Sequence, residues 1–408
     1  MKKTILRNYA KLIAVKGLNV QKGQEVIIGA DLDQPEFIKY VVEECYKAGA
    51  KKVRVEWDYQ PLTKAHVKYQ EQETLSKVED WEVEKLKHNA EINPCQLWIL
   101  SEDPDGLSGV DQSKMAKARQ DKYPIIKPYK DALENKQQWC IAAVPGVAWA
   151  KKVFPGESRA SRAVEKMWEA ILTASRAMED PIAAWDAHNK NLAERCAYLN
   201  SLGLASLEYK SKNGTDFKVG LIEDARFMGG KDTSTEGIDF NPNMPSEEVY
   251  ISPKAGVAEG VVHATMPLSY QGQLIENFWI RFENGKAVEA HAEKNETLLN
   301  EMINMDEGAA MLGECALIPV DSPISNLGIM FYNTLFDENA SCHLALGHGF
   351  SNCLKNYDKY TLDECREKGI NDSMIHVDFM IGAEDMDIVG VTRDGKRVQI
   401  FKEGNWAF

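Results

Sequence analysis

The sequence predicts an α/β amino-terminal domain built on a parallel sheet, followed by a β-rich α+β carboxy-terminal domain. Strand-like and helix-like segments alternate through the first half, whereas Asn-Gly and Asp-Gly hairpin turns take over in the second. With 408 residues the chain also exceeds what one ordinary core accommodates, which fits two domains.

The first strand is Glu25-Val26-Ile27-Ile28, followed by a helix from about Pro35 to Ala48 and a second strand, Lys52-Val53-Arg54-Val55-Glu56-Trp57. Gln96-Leu97-Trp98-Ile99-Leu100 and Gln138-Trp139-Cys140-Ile141-Ala142-Ala143-Val144 continue the pattern. Two long helical stretches, roughly Arg162–Met178 and Pro181–Leu202, close it, and the boundary is expected near residue 205, giving domains 1–205 and 206–408. Beyond it, Leu207–Lys210 and Asp216–Val219 flank Asn213-Gly214, and Glu283-Asn284-Gly285-Lys286 and Arg393-Asp394-Gly395-Lys396 are further hairpin turns. Lys294–Met305 reads as one helix among these strands. No Gly-x-Gly-x-x-Gly and no Gly-Lys-Ser/Thr phosphate loop follows the early strands, so the first domain reads as scaffold.

Composition narrows the function. The chain holds 62 acidic against 48 basic residues, a net charge of −14 that repels nucleic acid and anionic membranes. The first residues lack the apolar run of a signal peptide, and no stretch has the length of a membrane-spanning helix, so a soluble cytoplasmic protein is expected. The eight cysteines form no Cys-x-x-Cys pair and suggest reduced thiols.

The residues able to carry chemistry lie in the second half. In a strand, His376 and Asp378 point to the same face while Val377 and Phe379 pack behind, a geometry suited to a metal and equally to a hydrogen-bonded structural pair. Glu338 and His343, five residues apart, meet only if the chain turns between them, for which Asn339 and Ser341 are suitable. Glu314 opens the otherwise apolar strand Cys315–Val320, where a carboxylate is costly to bury unless paired or metal-bound. Glu247 and Glu248 precede a strand, and alternation sends them to opposite faces. Four carboxylates and two imidazoles of this kind suffice for two ions; without thiolate they suit zinc, cobalt or manganese. Cys315 and Cys342 read as packing residues.

At these positions the chain resembles the thermophilic-type metallo-aminopeptidase family, clan M29, over nearly its whole length. The matching blocks are Pro245–Val249, Gly313–Leu317, Asn333–His343 with Leu344-Ala345-Leu346-Gly347, and His376–Gly382. The resemblance implies a paired metal centre with ligands at Glu248, Glu314, Glu338, His343, His376 and Asp378, carried by the β-rich domain of a homodimer. It implies release of N-terminal amino acids from peptides by water activated between two ions, with Glu247 as the candidate general base. In one departure, Phe350 stands where a tyrosine is expected, and His348 is the candidate to supply a proton or an electrophile in its place. A two-metal dipeptidase or other amidohydrolase uses the same ligand set, and a catalytically silent metal- or peptide-binding protein is the alternative outside enzymes.

Overall fold

In the computed structural model, which describes residues 1–408, the chain forms two units: residues 1–187 with 231–245, and residues 188–230 with 246–408. Residue 205, near which the boundary is expected, falls at the start of the strand Leu204–Lys210, which follows the helix Pro181–Ser201. No helix is long and apolar enough to cross a membrane.

The first unit holds β1 (Glu25–Asp31), β2 (Lys52–Asp58), β3 (Cys95–Leu100) and β4 (Trp139–Ala143), all parallel, in the order β2-β1-β3-β4. Parallel strands require crossovers, and helices supply them. Pro35–Ala48 joins β1 to β2; it starts on a proline and stops at Gly49, whose φ of 116° favours glycine. The helix Gln112–Leu133 between β3 and β4 has no counterpart in the sequence pattern. It contains Pro124 and Pro128 and buries only Ala118, so its sequence shows no apolar stripe. The helix expected over Arg162–Met178 spans Ala160–Ala174, and Arg176 just beyond it takes a left-handed conformation (φ 51°).

The second unit contains a nine-stranded antiparallel sheet, ordered Leu268–Tyr270, Gln273–Glu283, Pro253–His263, Asp216–Leu221, Leu204–Lys210, Asp387–Thr392, Arg397–Lys402 and Asn405–Trp406, with Lys286–Lys294 pairing to Gln273–Glu283. The turns at Asn213-Gly214, Asn284-Gly285 and Asp394-Gly395 each connect antiparallel neighbours, as their dipeptides predict. The helix within this region spans Glu296–Ile303.

A five-stranded antiparallel sheet completes the unit: β5 (Met228–Gly229), β6 (Val249–Ile251), β7 (Leu312–Leu317), β8 (His343–Gly347) and β9 (His376–Met380), in the order β9-β8-β7-β6-β5. Every residue of β7 and β8 is buried. Cys315, Leu317, Leu344, Leu346 and Phe379 join the main hydrophobic core of the unit from one face of this sheet. The other face carries the candidate site.

Candidate metal centre

Register and alternation place the candidate side chains on that second face. Glu314 is paired with Ala345, and Ala345 with Asp378, so the three stand in a row across β7, β8 and β9. His343 lies two residues before Ala345 and His376 two before Asp378, which puts both imidazoles on the same side. Ala316 on β7 faces His343 and Gly347 on β8 faces His376, while Met380 on β9 flanks His343 from the other side. Ala316, Ala345 and Gly347 therefore form a low floor over which longer polar side chains converge. Gly347 is required twice over, because its φ is 100° and an added Cβ would stand 2.1 Å from the Ile375 carbonyl oxygen.

The distances follow from this layout. His376 Nε2 is 3.1 Å from Glu314 Oε2 and 3.2 Å from Asp378 Oδ1. His343 Nε2 is 3.5 Å from Glu248 Oε2 and 3.9 Å from Asp378 Oδ1. Each ring is oriented from behind by a main-chain carbonyl: His343 Nδ1 donates to Glu338 O at 2.8 Å, and His376 Nδ1 donates to His348 O at 2.7 Å. A carbonyl only accepts, so Nδ1 carries a proton in each ring and Nε2 is the nitrogen turned toward the carboxylates.

Two groups of potential ligand atoms result, Glu248–Glu314–His343 and Glu314–His376–Asp378, and Glu314 belongs to both. Glu338 lies outside these groups, yet its carboxyl is buried and feels the charges of Asp378, Glu248 and Glu314. The turn needed between Glu338 and His343 is present as a 3-10 turn over Glu338–Ala340, and it delivers the Glu338 carbonyl to His343. Glu247 and Glu248 diverge as alternation requires: Glu248 faces His343, whereas Glu247 Oε2 lies 4.0 Å from His188 Nε2.

The electrostatics are those of a site built for cations. Glu248, Glu314 and Asp378 meet only histidines as ion-pair partners, with neither lysine nor arginine among them. Burial, reinforced by Glu314 and Asp378, pushes the Glu248 carboxyl well above the usual carboxylate range, and burial with the Asp378, Glu248 and Glu314 charges does the same to Glu338. Burial alone would depress His376, but Asp378 and Glu314 outweigh it and hold the imidazole well above its ordinary range. Conversely, burial would raise Asp378, and the His376 charge outweighs it and keeps that carboxyl low. Asp378 Oδ1 is nevertheless buried without a donor in hydrogen-bonding geometry. An orphaned carboxylate oxygen, two Nε2 atoms turned toward carboxylates and acids with neither lysine nor arginine beside them together fit a bound divalent metal.

The two remaining candidates lie at the margin. The His348 carbonyl supports His376, while its own ring faces Asp372 (Nδ1 to Oδ1, 3.5 Å), which in turn pairs with Arg366 at 2.8 Å. Phe350 puts its ring 4.9 Å from that of His376 and 5.5 Å from that of Tyr250, so an apolar edge occupies the place where the resemblance leads one to expect a phenol. His376 is also the most open of the grouped side chains, at 25% exposure. The small floor residues escape a reading that looks only for ligands, although Leu344-Ala345-Leu346-Gly347, alternating large and small, carries their signal.

Comparison with known proteins supports the same chemistry. A family profile described as thermophilic metalloprotease (M29) matches residues 2–406. The chain is 40% identical over 405 residues to "Aminopeptidase AmpS" of Bacillus subtilis, covering 99% of this chain and 98% of the relative. It is 39% identical over 403 residues to "Aminopeptidase T" of Thermus thermophilus, covering 98% of each. The solved structure "Wild-type AmpT from Thermus thermophilus" superposes with a TM-score of 0.90 at 38% identity, covering 100% of both chains.

Proposed function

This chain belongs to the thermophilic metalloprotease (M29) family, and from that premise we propose that it is a two-metal aminopeptidase releasing N-terminal amino acids from peptides. It is a hydrolase of peptide bonds, as the aminopeptidase names of its relatives indicate. The observation that carries the two-ion reading is the sharing of Glu314 between two ligand groups, since one carboxylate can bridge ions about 3.5–4 Å apart.

Glu248, Glu314 and His343 would hold one ion and Glu314, His376 and Asp378 the other, with Glu338 available from the 3-10 turn. Zinc, cobalt and manganese all suit these donors. Such ions supply the Lewis acidity that activates water and polarises the scissile carbonyl. Glu247, buried beside the ligand Glu248, accepts the proton that water gives up and returns it to the departing amine. His348, placed by Asp372, supports charge at the open side next to His376. The substrate enters with a free amino terminus, which a carboxylate or an ion recognises, so cleavage stops after one residue. A homodimer working in the cytoplasm completes the proposal.

The test is hydrolysis of a panel of aminoacyl-7-amido-4-methylcoumarins by metal-stripped protein, with and without added cobalt or zinc. Metal-restored cleavage of free-amine substrates, absent with N-acetylated ones and lost in Glu314→Ala, is expected. No metal-dependent cleavage across the panel overturns the reading.

A further inference from the structure

Glu247 and Glu248 approach the site from the segment before β6, whereas Glu338 approaches from the turn before β8, and β7 lies between those two strands in the sheet. No direct strand pairing therefore fixes the distance between the two segments. One fully buried side chain does so. Asn339 Oδ1 accepts the Glu247 main-chain N–H at 2.7 Å, and its Nδ2 donates to Leu335 O at 2.9 Å and to Glu338 Oε1 at 3.3 Å. The main-chain oxygen of Asn339 is itself held by the Ser322 hydroxyl at 3.3 Å.

We propose that Asn339 is a positioning residue of the metal centre, tying the segment of Glu247 and Glu248 to the turn of Glu338 and fixing which Glu338 oxygen faces the ions. The proposal rests on the two-metal reading. An amide does what no charged or apolar residue of that size does here, because it accepts on one side and donates twice on the other. The Nδ2–H holds Oε1 of Glu338, so Oε2 would be the oxygen offered to a metal. An aspartate at this position would keep the acceptor for Glu247 but lose both donors, and would set a further anion against Glu338 and the Leu335 carbonyl. Partners that orient metal ligands in this way commonly change metal affinity by about 10–100-fold when removed.

The experiment compares wild type, Asn339→Asp, Asn339→Ala and Ser322→Ala as metal-stripped full-length proteins. Thermal melting is recorded without metal, and cobalt(II) titrations are followed by visible absorption and by chelator competition. The expected result is cobalt affinity lowered by about 10–100-fold in both Asn339 variants, with an altered cobalt spectrum. Ser322→Ala, which loosens the same turn only through the main chain, should lower the melting temperature and keep near-wild-type cobalt affinity. Asn339→Ala adds no charge and decides the matter if Asn339→Asp does not fold. Wild-type affinity and spectrum in the folded Asn339 variants, or an equal loss in Ser322→Ala, overturns the positioning role while leaving the metal centre standing. Failure of the wild type itself to bind cobalt overturns both.

Discussion

His376 Nε2 and Asp378 Oδ1 stand 3.2 Å apart on one face of β9, an imidazole held above its ordinary range against a carboxylate held below its own. In the metal-free protein the protonated ring takes the place of a cation. A divalent ion must displace that proton, together with those kept by Glu248 and Glu338, whose carboxyls burial and mutual repulsion push upward. Metal uptake near neutral pH should therefore release protons, and affinity should fall as pH falls. Calorimetric titration of metal-stripped protein in buffers of different ionisation enthalpy reads the proton count directly; uptake without proton release would contradict this account.

Glu314 serves both ligand groups, so its loss should exceed the loss of a ligand that serves one. Glu314→Ala is expected to weaken metal binding by at least on the order of 100-fold and to remove the rise in melting temperature that metal confers. Glu338→Gln, outside both groups, should retain part of each. Metal content after dialysis and melting curves with and without zinc distinguish the two variants.

The methyl group of Ala345 lies between Glu314 and Asp378 in register. Ala345→Leu should fill the space over which these carboxylates converge, and the strand, already buried throughout, offers no relief. We expect destabilisation of about 1–3 kcal/mol together with loss of metal-dependent hydrolysis. Denaturant unfolding and the aminoacyl-coumarin assay measure the two effects separately.

Asp337 shapes the segment leading to the site. Its Oδ1 accepts the Phe331 N–H at 2.8 Å and its Oδ2 the Asn333 N–H at 3.0 Å. Burial outweighs these hydrogen bonds and pushes the carboxyl up to about 7. The unfolded chain releases this proton near the ordinary carboxylate value, so the folded state binds more protons over the interval between. The Asp337 contribution is present at low pH and is lost as pH rises from about 4 to about 7. Asp337→Asn cannot ionise, so it should flatten that decline in the metal-free protein, while losing about 1–3 kcal/mol because its amide leaves one of the two N–H groups unmatched. Urea unfolding of both proteins at pH 5 and pH 7.5 with chelator present checks the slope and the offset.

The alternation in His376-Val377-Asp378-Phe379, the isolated acid before Cys315–Leu317 and the three Gly turns were all legible in the sequence, because strand periodicity and left-handed turn residues are local properties. Five of the six candidate ligands fall into the two groups, and the sixth is buried beside them. The roles of neighbours were not legible in the same way. Nothing local in Glu338 shows that its carbonyl orients His343, and nothing in His348 shows that its carbonyl orients His376, since a main-chain oxygen is common to every residue.

The sequence by itself determined which side chains share a face, because the two-residue period of a strand depends on nothing beyond the strand. It also determined the net charge of −14. Only the tertiary structure decided that Glu314, Ala345 and Asp378 stand in one row and that Asn339 joins two distant segments. Those facts depend on the order and register of strands far apart in the chain, and register is set by the packing of the whole sheet against its core.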